Sequence, residues 1–177
     1  MEIVVLNGSP RRGGNTDALV NAFVAEASKR HRVNVYHASD YHIHPCKGCN
    51  ACFASVEHRC SQHDDMPIII DALSKADMLV VASPVYFYSI SAQLKTLIDR
   101  LHNPIRDSFP IKYIGLMCVA ASSKPQVFDS IKVQYRLLCD FFDLQDKGMV
   151  LAGNQKKRVG PDLAPFIDEA RAFAQSI

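Results

Sequence analysis

The chain has 177 residues, 48% of them hydrophobic and 21% charged, with 20 Lys+Arg against 18 Asp+Glu. That is the size and composition of one compact soluble domain rather than a disordered or fibrous chain, and a net charge of +2 supplies no basic field for nucleic acid. The apolar run at residues 3–6 is too short for a signal peptide or a membrane span and is cut off by Asn7-Gly8 and Arg11-Arg12, so the expected location is cytoplasmic, with no membrane partner.

Residues 3–6 carry no polar alternation, the pattern of a central strand buried on both faces. A turn segment at 7–14 leads to a helix over about 16–29, with Asn15 or Thr16 as cap, Asp17 in its first turn and Leu19, Ala22, Phe23 and Ala27 facing inward. Residues 32–36 alternate polar and apolar, as an edge strand does. The segment 37–65 is long, irregular and rich in Cys and His, and so long a loop in a compact domain is usually functional. Asp64-Asp65 supplies a cap for a short helix over 66–75, and a second buried strand at 78–82 stops at Ser83-Pro84. Ser91 starts a helix with Leu94, Leu97, Ile98 and Leu101 inward; its Lys95, Asp99 and Arg100 are spaced for solvated ion pairs. A third apolar strand at 113–120 ends at Ala121-Ser122-Ser123, and Pro125 suits the first turn of the helix that carries Ile131, Tyr135 and Leu138. Residues 149–151 read as a short last strand, and Pro161 opens a terminal helix through Phe166, Ala170 and Phe173. This βα alternation predicts an α/β fold, a doubly wound five-stranded parallel sheet of order 2-1-3-4-5 with helices on both faces, in a single domain over 1–177 with a cysteine-rich insertion at about 40–65.

In such a sheet, ligands sit beyond the carboxyl ends of the strands, which selects the loops at 7–16, 83–88 and 120–123. The first joins a buried strand to a helix N-terminus, where free N–H groups and the helix dipole favour an anion. Its spacing is not that of a P-loop, because Gly14-Asn15 stand where Lys and Ser or Thr are needed, and Pro10 breaks a dinucleotide fingerprint. A glycine-rich turn that only caps a helix is the plain alternative; paired arginines and cap-type residues favour one phosphate, hence a mononucleotide.

Cys46, Cys49, Cys52 and Cys60 read C-x2-C-x2-C-x7-C, whereas Cys118 and Cys139 stand alone and are expected as buried core thiols. Clustered thiols in a cytosolic chain point to metal or redox work rather than structural disulfides. Thiolates at this spacing suit an iron-sulfur cluster. Structural zinc, a redox-active thiol pair and inert thiols are the other readings. His42, His44, His58 and His63 flank the motif and are read as polar surface.

Gly8-Ser9-Pro10-Arg11 with Asn15-Thr16, Ser83-Pro84-Val85-Tyr86, Lys95 and Asp99-Arg100 resemble the NADPH-dependent FMN reductase family of flavodoxin-like proteins across nearly the whole chain. The cysteine loop resembles the compact motif of its iron-sulfur flavoprotein branch. By that resemblance Ser9, Arg11, Asn15 and Thr16 would hold the FMN phosphate, Pro84, Val85, Tyr86 and Phe87 would line the isoalloxazine, and Ala121 and Ser122 would close the third side. Cys46, Cys49, Cys52 and Cys60 would ligate a [4Fe-4S] cluster. The implied function is an FMN-dependent oxidoreductase passing electrons between NAD(P)H or a reduced carrier and an acceptor, with no catalytic side chain because the flavin supplies the chemistry. The implied partners are a small molecule or small redox protein and further copies of the chain, as a homodimer or homotetramer with the cysteine loop near a neighbouring flavin. A cluster-free NAD(P)H-dependent reductase of FMN, quinones or nitro compounds, a non-enzymatic electron-carrier module and a zinc-stabilised binding protein are the rivals.

Overall fold

The computed structural model describes residues 1–177. Five strands, β1 (Glu2–Asn7), β2 (Arg32–His37), β3 (Met78–Pro84), β4 (Tyr113–Val119) and β5 (Gln145–Ala152), form one parallel sheet in the order β2-β1-β3-β4-β5. Between and after them run α1 (Asn15–Ala27), the single turn α2 (Ala51–Ala54), α3 (Met66–Leu73), α4 (Ala92–Arg100), α5 (Asp129–Phe142) and α6 (Ala164–Gln175). The sheet is the expected doubly wound one. Successive β1 side chains point to opposite faces and both faces are apolar: Ile3 and Val5 pack with Leu19, Phe23 and Phe173 of α1 and α6, while Val4 and Leu6 pack with Met66, Ile69, Leu94 and Ile131 of α3, α4 and α5.

Parallel register sets Asn7 beside both His37 and Ala82, so β1 and β2 end level, β3 runs two residues further, and their loops leave from one edge. The last strand is longer than its apolar segment, because the polar Gln145 and Asp146 still pair with Tyr113 and Ile114 at the sheet's edge, where a register shift follows. Edge strands need not be apolar on both faces, which is why residues 149–151 alone stood out. Helix α1 starts from Gly14 with no side-chain cap, so neither Asn15 nor Thr16 caps it. Cys118 is buried in β4 as expected, but Cys139 on α5 is only half-buried. No helix is long and apolar enough to cross a membrane.

Candidate functional site

The segment between β1 and α1 is braced from beneath by two buried residues. The Asn7 amide donates to Asp17 Oδ1 at 2.8 Å, Asn7 Oδ1 accepts from the Ser9 N–H at 2.9 Å, and Asp17 Oδ2 accepts from the Gly13 N–H at 2.6 Å. Ser9 is buried, its hydroxyl donating to the Arg11 carbonyl at 3.0 Å and accepting from the Arg11 N–H at 3.2 Å. These contacts turn the loop so that the amides of Arg12, Gly14, Asn15 and Thr16 donate to nothing in the protein. Four unspent N–H groups at the positive end of a helix are what a phosphate requires. Thr16 is buried as a residue but its hydroxyl has no hydrogen-bond partner in the protein, and the Arg11 guanidinium is exposed and unpaired, so both remain for an anion.

Asn15 is placed differently. Its amide donates to the Lys157 carbonyl at 2.9 Å and its oxygen accepts from the Val159 N–H, so the side chain pins the loop after β5 rather than projecting free. Arg158 reaches the same loop, donating from Nε to the Gly13 carbonyl at 3.1 Å and from its terminal nitrogen to Arg12. Sequence reading missed Asn7, Asp17, Arg158 and the 157–159 wall; over a separation of about 140 residues no local pattern signals such a contact. Arg12 turns away to pair with Asp40, tying the loop to the chain that leads into the cysteine segment.

The second loop is anchored at both ends. The Gly8 N–H donates to the Ala82 carbonyl at 2.7 Å, and the Val85 N–H to Val119 at 2.7 Å. Between them Tyr86 and Ser89 exchange backbone bonds of 2.9 and 3.1 Å across a two-residue turn. Phe87 and Tyr88 occupy its centre at φ of 50° and 67°, the left-handed region where Asn-Gly is the ordinary choice. Phe87 is 97% exposed, and Tyr86 and Tyr88 are exposed beside it. Pro84 and Val85 at the base are half-buried. Two non-glycine residues in that region make a strained turn that holds aromatic rings out to solvent.

The third loop meets the last one: Asn154 donates to the Ser122 carbonyl at 2.8 Å and Gln155 to Ala120 at 2.9 Å, with Ala121 exposed between. The residues expected around a flavin therefore lie on loops, or at the element ends that border them, joined to one another at the carboxyl ends of the strands. A cavity of about 600 Å³ between α4 and α5, walled by Leu101, Phe109, Leu138 and Phe142, touches none of them.

The cysteine segment lies over α4. Cys46 and Cys49 are exposed, Cys52 and Cys60 half-buried, and all four are free thiols. The backbone N–H of Ala51, the Ser61 hydroxyl and Lys47 lower the pKa of Cys49. By contrast burial pushes the Cys118 thiol up to about 12, which removes it from thiolate chemistry. The donor set is right for iron-sulfur ligation, four soft sulfurs on one loop. No three Cys, His, Asp or Glu groups converge on one point, however, so the sequence expectation of four sulfurs around a single centre is not met in this conformation. His58 is turned to the Cys52 carbonyl at 3.2 Å, and His42 packs edge-on against His44. Arg100 is the other correction: it is not solvated with Lys95 and Asp99, which pair with each other, but buried against Asp64.

A family model described as NADPH-dependent FMN reductase matches residues 1–137. An iron-sulfur flavoprotein of Methanocaldococcus jannaschii is 38% identical over 128 residues, covering 69% of this chain and 63% of its own. One from Methanosarcina thermophila is 35% identical over 113 residues, 63% of this chain and 58% of its own. The chain thus spans only about three fifths of these relatives. A Bacillus subtilis protein whose name gives an NAD(P)H-dependent FMN-containing oxidoreductase is 29% identical over 167 residues, 88% of this chain and 87% of its own. Among solved structures, an NAD(P)H:quinone oxidoreductase from Methanothermobacter marburgensis superposes with a TM-score of 0.77 at 14% identity over 99% of this chain and 98% of that one, which establishes a shared fold.

Proposed function

The chain belongs to the NADPH-dependent FMN reductase family, and from that premise we propose that it is an FMN-dependent oxidoreductase moving electrons between NAD(P)H or a reduced carrier and an acceptor, with a [4Fe-4S] cluster on its cysteine loop. The observation that carries the reading is the free-amide cradle at Arg12 to Thr16, joined through Gly8 to the exposed aromatic turn at Tyr86 to Ser89. FMN would supply hydride and one-electron chemistry. The chain's part is to hold and orient it. The amides of Gly14, Asn15 and Thr16, the Thr16 hydroxyl and Arg11 bind the phosphate; Ser9 shapes the turn. Asn15, engaged with Lys157 and Val159, contributes through its N–H and as the support of the far wall. Pro84, Val85, Tyr86 and Phe87 cover the ring and exclude water, with Ala121 and Ser122 opposite. No side chain is assigned a proton-transfer role.

A cluster held by Cys46, Cys49, Cys52 and Cys60 would supply single-electron chemistry beside the flavin. The names of the iron-sulfur flavoprotein relatives and the donor set support this, and the loop tip must close for the sulfurs to converge. The unconverged thiols favour one alternative, a cluster-free NAD(P)H-dependent reductase. As part of the same reading the protein acts in the cytoplasm as a homodimer or homotetramer, on a small molecule or a small redox protein. Absorbance with iron, sulfide and zinc analysis on protein purified without oxygen tests both cofactors. Flavin bands with about four iron per chain bear out the full reading; flavin without iron after reconstitution selects the cluster-free reductase. Failure of NADH and NADPH to reduce the bound flavin would instead select a non-enzymatic carrier.

A further inference from the structure

The cysteine segment is irregular only between its ends. The His42 N–H donates to Asp65 Oδ2 at 2.7 Å and the Asp65 N–H returns to the His42 carbonyl at 3.1 Å. One step inward the His44 N–H donates to Asp64 Oδ2 at 3.0 Å, and the Gln62 amide donates to the Pro45 carbonyl at 3.1 Å. These contacts form a neck, and Cys46, Cys49, Cys52 and Cys60 all lie inside it.

One ion pair fastens the neck to α4. Arg100, from the last turn of α4, donates through one terminal nitrogen to Asp64 Oδ2 and, at 2.9 Å, to the His44 carbonyl, and through the other to Asp64 Oδ1 at 3.2 Å. Asp64 also accepts from the Met66 N–H at 3.2 Å, so its carboxylate is satisfied on every side. Both side chains are almost wholly buried, 2% and 0% exposed. His44 is gripped at its N–H by the acid and at its carbonyl by the base.

A buried ion pair is a poor way to gain stability, because desolvation consumes most of the attraction. Its virtue is a fixed geometry, and Arg provides this where Lys does not: its planar fork reaches two carboxylate oxygens and a carbonyl together. Closing the neck also shortens the loop that a metal centre has to order.

Resting on the cluster reading above, we infer that Arg100 is a positioning residue for the cysteine loop: with Asp64 it bolts the neck on either side of the four sulfurs. The tip from Cys46 to Cys60 adjusts around a cluster while the neck stays in place.

The test uses the full chain, purified without oxygen and reconstituted with iron and sulfide. An Arg100→Met/Asp64→Leu double variant fills the space with apolar groups and guards against simple unfolding; Arg100→Lys keeps the charge without the fork. In the double variant, hydrogen exchange at the His42 and Asp65 amides, whose own partners are untouched, is expected to rise at least tenfold while β1 and β3 stay protected. Iron per chain is expected to fall below half of wild type. Arg100→Lys, which loses the fork to Asp64 and the His44 carbonyl together, is expected to raise exchange at the same amides by a smaller factor. Wild-type exchange and iron content in the double variant overturn the inference. A wild-type protein that takes up no iron overturns the cluster reading itself, and the positioning role with it.

Discussion

The Ser91 hydroxyl donates to the Gly8 carbonyl at 2.6 Å, across 83 residues of sequence, and so locks the phosphate loop to the first turn of α4. The same oxygen caps that helix at the Leu94 N–H, while the Ser91 N–H donates to Ser83 Oγ at 3.0 Å. One side chain thus registers the first loop against the second.

No room is left at that contact. A Cβ on Gly8 would lie 2.6 Å from Ser91 Oγ and 2.7 Å from Leu94 Cβ. Gly8→Ala should therefore cost about 1 to 3 kcal/mol of stability, as overpacking does, and weaken FMN binding by displacing the loop. Urea unfolding and a flavin titration measure the two losses; wild-type values in both would remove Ser91 as the lock.

Thr16 and Asn15 should separate. Thr16→Ala removes a hydroxyl with no protein partner, so FMN affinity should fall by about 1 to 3 kcal/mol with little change in apoprotein stability. Asn15→Ala releases Lys157 and Val159, so apoprotein stability should fall as well. Calorimetric binding together with thermal melts of the apoproteins distinguishes the two patterns.

The aromatic turn trades stability for exposure. Replacing Phe87-Tyr88 by Asn-Gly relieves the two left-handed residues, and should raise stability by roughly 1 to 2 kcal/mol. It should also weaken flavin binding several-fold, because the exposed rings are gone. A variant that is more stable and binds flavin normally would show the turn to have no part in the site.

His37 makes stability depend on pH. Burial is the main cause of its lowered pKa, Arg12 adds to it, and Asp17 and Asp40 oppose it. The folded state thus favours the neutral ring. Its contribution is complete above the ordinary value of about 6.5 and is lost as pH falls below that, where the unfolded chain takes up the proton first. His37→Gln should flatten the urea midpoint between about pH 7 and pH 5 relative to wild type.

Cys49→Ser should prevent cluster assembly while leaving FMN in place, since the cysteine segment and the phosphate loop are separate parts of the chain. Iron and sulfide retained at wild-type levels would strike Cys49 from the ligands.

Strand order, and with it the gathering of three loops at the carboxyl ends of the strands, was legible because buried strands announce themselves as apolar runs. Long-range polar contacts were not. Arg100 looked like one more charge on α4 because its partner, Asp64, is 36 residues away and shares no periodicity with it. Asn15 looked like a ligand or cap because its proximity to Lys157 and Val159 exists only after folding. Cys139 has an apolar neighbourhood in sequence, yet α5 leaves Leu137 and Phe141 exposed around it.

The clamp from Asn15 to Val159 also has an order in time. During synthesis the wall that steadies the loop between β1 and α1 follows it by 144 residues, roughly 7 to 30 s at typical elongation rates. Through that interval the loop lacks the two bonds by which Asn15 holds Lys157 and Val159, so this brace forms only after the chain around residue 159 has been made.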